Sequence, residues 1–115
     1  MVGERTRVLI VMPGNVFLPE RKCLVEAAAR HRLPAAYAQR EYVDAGGLMA
    51  YGSNLSDLFA RAASLVARIL KGAKPAHLPI EQPRTFELVI NLKTAKVLGL
   101  TIPPSLLQRA DQVIE

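Results

Sequence analysis

The sequence predicts an α/β fold, a mostly parallel sheet with helices flanking it, and three observations carry that expectation. Residues 7–12 (RVLIVM) form a continuous apolar run, the pattern of a strand covered on both faces. A helical stretch separates this run from a second short apolar one at 35–38, and strand, helix, strand over this length is a βαβ unit with a right-handed crossover. The order then repeats: a short apolar run at 48–51, between Gly46-Gly47 and Gly52, leads into a long helical pattern, which makes the fold layered.

The first strand stops at Pro13-Gly14-Asn15. The spacing then predicts a helix over 17–31, with Pro19 tolerated in the first turn because its missing N–H has no partner there anyway. Its inner stripe reads Phe17, Leu24, Ala27, Ala28 and His31, and Glu20, Arg21, Lys22, Glu26 and Arg30 take the outer side. Leu33-Pro34 ends that helix, 35–38 is the second strand, and 40–45 holds at most a turn and a half of helix.

The clearest signal lies in 43–75. Ser53 and Asn54 offer caps, Asp57 suits the positive end of a helix dipole, and Leu55, Leu58, Phe59, Ala62, Leu65, Val66, Ile69 and Leu70 recur at three- and four-residue steps. This predicts one buried stripe. Arg68 and Lys71 suit the negative end, Gly72 can take the left-handed cap, and Pro75 cannot continue, so the helix is expected to end near Lys71. Prolines at 75, 79 and 83 then mark an extended crossing. A last strand is expected over 86–90, a short helix over 92–98 capped by Asn91 and closed by Gly99, and a terminal helix from Ser105 to about Val113. The chain thus reads as a single domain in three stretches: a βαβ unit (1–47), a strand with the long helix (48–78), and a crossing segment with a strand and terminal helices (79–115).

Half of the 115 residues are apolar, enough for a core. The net charge of +5 comes from 15 basic residues scattered without a dense run or interleaved aromatics, which argues against a nucleic-acid surface. The single cysteine, Cys23, excludes an internal disulfide. No segment approaches the roughly 20 apolar residues of a membrane span. The apolar run after Arg5 and Arg7 is shorter than the roughly 7–15 residues of an export signal, so the sequence as it stands predicts a cytoplasmic location.

Catalytic and metal chemistry find little footing. Cys23 and His31 on one helix stand about 12 Å apart along its axis, too far for a nucleophile and base. His77, the only other histidine, lies on the proline-rich segment without a carboxylate or thiol partner to complete a ligand set, so no metal site is expected. Adjacent Arg40 and Glu41 diverge on a helix, which reads as a salt-bridge pattern and not a catalytic dyad. No cofactor is expected.

The motifs RHRLPAAY (30–37), REYVDAGGLMAYG (40–52), NLSDLF (54–59), ILKGAKPAHLPIEQP (69–83) and FELVINLKTAKVLGLTIPPSLLQRADQVIE (86–115) resemble, in order, the C-terminal part of uncharacterised ABC-transporter substrate-binding proteins of the type I periplasmic binding protein class. The resemblance implies a partial, Rossmann-like lobe of that fold. It implies relatives that are exported to the periplasm, trap a small solute between two α/β lobes and deliver it to an ABC permease without catalysis. It also implies crossings between lobes near 47–52 and 79–86. Faces shaped for the remainder of such a fold would be bare here, which predicts a homodimer.

In open α/β sheets ligands sit beyond the C-terminal ends of the parallel strands. Those ends are Pro13, Gly14 and Asn15, then Gln39 and Arg40, then Tyr51, Gly52 and Ser53, and the resemblance places ligand-facing loops at the same positions. Relatives often carry an acidic or hydroxyl residue where Gly14 stands. The solute implied is amino-acid-like or an aromatic acid. Two other readings stay open: a small cytoplasmic flavodoxin-like domain holding a nucleotide or flavin phosphate at 13–16, and a pure interaction module.

Overall fold

The computed structural model describes residues 5–115. Its five strands run β1 Leu9–Val11, β2 Ala35–Tyr37, β3 Met49–Ser53, β4 Phe86–Asn91 and β5 Gln112–Ile114. They lie side by side in chain order in one sheet. β1, β2 and β3 are mutually parallel, β4 returns antiparallel to β3, and β5 lies parallel to β4. The helices are α1 Arg21–Arg30, α2 Arg40–Asp44, α3 Leu55–Leu70, α4 Leu92–Val97 and α5 Pro104–Leu107, with a 3-10 turn at Pro75–His77. The mixed, mostly parallel sheet with flanking helices is the predicted α/β class.

The main core cluster lies on one face of the sheet. Val11, Ala35, Tyr37, Ala50 and Val89 alternate inward along their strands and pack with Val25 and Ala28 of α1 and Tyr42 and Val43 of α2. Tyr37 and Tyr42 stack with ring centroids 4.7 Å apart and planes 11° apart. Burial of both rings raises their phenol pKa above 10.0; the neighbouring ring adds to this at Tyr37, while the Arg21 charge opposes it at Tyr42.

α1 begins later than the sequence suggests. Over 14–21 the chain makes turns closed three residues back, Phe17 N donating to Gly14 O (3.2 Å) and Arg21 N to Leu18 O (3.2 Å), and the first four-back bond is Leu24 N to Glu20 O at 3.1 Å. The buried stripe of α1 is Val25 and Ala28 with half-buried Leu24 and Arg21, whereas Phe17, Ala27 and His31 are exposed. Arg21 joins the inner side through its stem while its guanidinium bonds Leu18 O at 3.1 Å.

The end of the chain also differs from expectation. The helix predicted over 105–113 stops at Leu107, and Gln112–Ile114 forms β5. Asp111 causes the change: its amide donates to Leu88 O (2.9 Å) while its carboxylate accepts from Leu88 N (2.7 Å). That pair pins the chain to the edge of β4, and β-prone Val113 and Ile114 continue the ladder.

α3 has the predicted limits. Asn54 Oδ1 accepts from Asp57 N at 3.1 Å, and Gly72 closes the end at φ +107°. Its predicted buried stripe is a correction, since none of its residues is buried and Phe59 stands 69% exposed. The reason is geometric: α3 departs from the sheet, and the molecule extends 55 × 32 × 20 Å with a radius of gyration of 17.5 Å. A compact domain of this length would have about 13 Å.

Candidate functional site

Parallel pairing brings the ends of β1, β2 and β3 to one edge of the sheet, and the antiparallel return of β4 brings its beginning there too. Beside that edge lies an open apolar groove of about 430 Å³. Ile10, Met12, Pro13, Ala38, Tyr51, Gly52, Ser53 and Phe86 are among its lining residues. Tyr51 and Phe86 stack at 5.9 Å with planes 24° apart, and both remain largely exposed, at 64% and 50%. The Ser53 hydroxyl is a polar group in this wall.

Four of the eight residues singled out from sequence therefore meet: Pro13, Tyr51, Gly52 and Ser53. Gly14 and Asn15 occupy the following turn, where a side chain on Gly14 would press within 3.0 Å of Phe17 Cδ2. Gln39 caps α2 with its carbonyl accepting from Tyr42 N (3.3 Å), and its buried Oε1 has no hydrogen-bond partner among the described residues. Arg40 joins a polar cluster instead of the groove: Nη2 donates to Gln112 Oε1 at 2.7 Å, Nε lies 3.5 Å from Asp44 Oδ2, and Nη1 lies 3.8 Å from Glu87 Oε2.

Sequence reasoning did not place Phe86, Met12 or Glu87 at this edge. The available signal was the pair of crossings expected at 47–52 and 79–86: two crossings that run side by side in opposite directions put Phe86 opposite Ser53 and Glu87 opposite Gly52. A second apolar groove, about 450 Å³, lies between α1 and β1 and is lined by Leu9, Met12, Phe17, Leu24, Ala27 and His31, among others. Among the described residues no group of three or more His, Cys, Asp or Glu is arranged to hold a metal ion, and no helix is long and apolar enough to cross a membrane.

Comparison with solved structures finds chains that superpose closely. A conserved domain protein from Vibrio cholerae O1 biovar eltor aligns at TM-score 0.90 and 28% identity over 97% of this chain and 38% of its own. An ABC domain from Streptococcus pneumonia, solved in complex with L-Trp, aligns at TM-score 0.88 and 32% identity over 96% of this chain and 38% of its own. A substrate-binding protein with adhesive properties from Clostridium difficile, in its ligand-free, open structure, shares the fold at TM-score 0.60 and 21% identity, over 93% of this chain and 36% of its own. This chain thus spans 38% of the length of the first two. Among curated proteins no match is found. The family model described as ABC transporter substrate binding protein matches residues 1–114. With the match spanning nearly the whole chain and the sheet in keeping with it, the chain belongs to the ABC transporter substrate-binding protein family.

Proposed function

We propose that this chain supplies one wall of a solute site in an ABC import system, outside the cytoplasmic membrane, and that the solute is an amino acid with a flat apolar side chain, of the kind L-tryptophan represents. The exposed Tyr51–Phe86 stack at the end of the parallel strands carries this reading. Two aromatic rings left in water beside an apolar groove gain free energy when another ring covers them, by area burial and by offset stacking worth about 1 kcal/mol. The L-Trp complex of the Streptococcus relative supports the same solute class. Among the described residues the groove lining holds no histidine, carboxylate or thiol, which favours binding over transformation of the solute.

One wall by itself binds weakly. An indole covering about 120 Å² of apolar surface gains about 3 kcal/mol, which points to dissociation constants of about 1 mM or higher. The test exploits composition: the chain contains no tryptophan, so ligand emission excited beyond tyrosine absorption is free of protein background. Saturable change in L-tryptophan emission is expected, with affinity about fivefold weaker in Tyr51→Ala, the loss of about 1 kcal/mol of stacking. Equal affinity in Tyr51→Ala, or a linear response without saturation, would refute the reading.

We also propose that the free chain self-associates as a homodimer. Val8, Ile10, Met12 and Phe17 are 59%, 68%, 67% and 47% exposed along β1 and the turn after it, and β1 is an outer strand of the sheet with no charged residue in 8–12. Light scattering during size exclusion is expected to give twice the 12.6 kDa chain mass. A monomer mass throughout the micromolar range contradicts this.

A further inference from the structure

α3 buries none of its residues, yet its first turn is tied to the sheet through one side chain. Asn54 caps the helix with Oδ1, and its Nδ2 donates to both carboxylate oxygens of Glu87 on β4, at 3.3 and 3.4 Å. Glu87 also lies 3.8 Å from Arg40 Nη1, and Arg40 is held in turn by Asp44 and by Gln112 of β5. The contacts run without a break from α3 through β4 to α2 and β5.

A carboxamide suits this joint because one end accepts while the other donates. With Oδ1 fixed by the Asp57 amide, Nδ2 is the end left to face an acceptor, and Glu87 supplies a charged one. The Glu87 side chain is 20% exposed, so its charge is partly shielded from water, with Arg40 as the opposite charge and Asn54 as a hydrogen-bond donor. The β3–β4 ladder ends at the pair Ser53 and Phe86, and Asn54 is the next residue on β3's side. Beyond it, Pro83, Arg84 and Thr85 line a shallow hollow together with Asp57, Leu58 and Arg61 of the first turns of the helix.

We infer that Glu87 is a positioning residue that sets the angle at which α3 leaves the sheet, acting through the Asn54 amide. The joint adjoins Ser53 and Phe86, so the segment that shapes the groove also carries the helix. This inference does not depend on which solute the groove takes, and its test uses none.

Spin labels on the native, exposed Cys23 of α1 and on an Arg68→Cys variant of α3 report the angle as an electron–electron distance distribution. Glu87→Ala and Asn54→Asp are each expected to broaden that distribution about twofold, because the first removes the acceptor and the second sets two carboxylates against each other while retaining a good cap. Circular dichroism of Asn54→Asp should keep its helical signal. The double variant Asn54→Asp, Glu87→Gln exchanges donor and acceptor and is expected to restore the parent width, a coupling that loss of local structure does not produce. Parent-like width in Asn54→Asp, or a double variant no narrower than Asn54→Asp, overturns the assignment. Should Glu87→Ala fail to fold, the Asn54→Asp pair of measurements decides alone.

Discussion

Gly52→Ala is expected to destabilise the chain by about 3 kcal/mol or more, the upper part of the range for forcing atoms into an occupied site. A methyl at Gly52 would lie 2.0 Å from Ala38 O and 3.0 Å from Ala38 C. Both obstacles are backbone, so no side-chain rotation relieves them; β2 and β3 must separate just where they frame the groove. Urea unfolding followed by circular dichroism should show a midpoint well below that of the parent, or a chain that no longer folds. A parent-like midpoint would mean that the strands do not approach each other in this way. The residue singled out as a possible ligand contact thus has a structural demand of its own: its lack of a side chain lets the groove's floor close.

Tyr42→Ala is expected to cost about 4 kcal/mol, in the range measured when large buried aromatics are truncated. Tyr42 is 1% exposed, stacks on Tyr37 and fills the space between α2 and the sheet. Tyr42→Phe gives the opposite expectation. The Tyr42 hydroxyl is buried without a hydrogen-bond partner among the described residues, so its removal should leave stability unchanged or raise it by about 1 kcal/mol. The same burial has a pH consequence. Because the folded-state pKa of Tyr37 and Tyr42 lies above 10.0, their neutral forms contribute stability that is fully present below pH 10 and is lost as pH rises through the raised values. Denaturation midpoints of parent and Tyr42→Phe should therefore diverge on the alkaline side, with the variant falling less. Identical alkaline profiles would contradict the buried-phenol account.

Features set by neighbouring residues were legible in the sequence. The Asn54 and Asn91 caps, the glycine stops at 72 and 99, and the parallel β1–β2–β3 unit follow from hydrogen-bonding groups and apolar spacing within short stretches. Features set by distant partners were not. Whether the α3 stripe is covered depends on a surface that the stripe does not encode, and Phe59 and Val66 look the same in sequence whether they face a sheet or water. β5 escaped notice because Leu106, Leu107, Ala110 and Val113 fit a helical period, while the decisive contact is Asp111 with Leu88, 23 residues away. At the candidate groove, the strand-end rule picks out four of the lining residues, Pro13, Tyr51, Gly52 and Ser53. It missed Phe86 because the rule looks at where parallel strands end, and Phe86 begins an antiparallel one. Arg40 sat at the right strand end, but nearby Asp44, Glu87 and Gln112 draw its guanidinium into their own cluster.

The amide spectrum of the isotope-labelled chain, recorded as L-tryptophan is added, tests the solute wall residue by residue. The account predicts progressive shifts at Ala38, Tyr51, Gly52, Ser53 and Phe86, with Leu24, Ala27 and His31 of the other apolar groove unmoved. Shifts confined to the α1–β1 groove, or a spectrum unchanged up to the solubility of the amino acid, would contradict it.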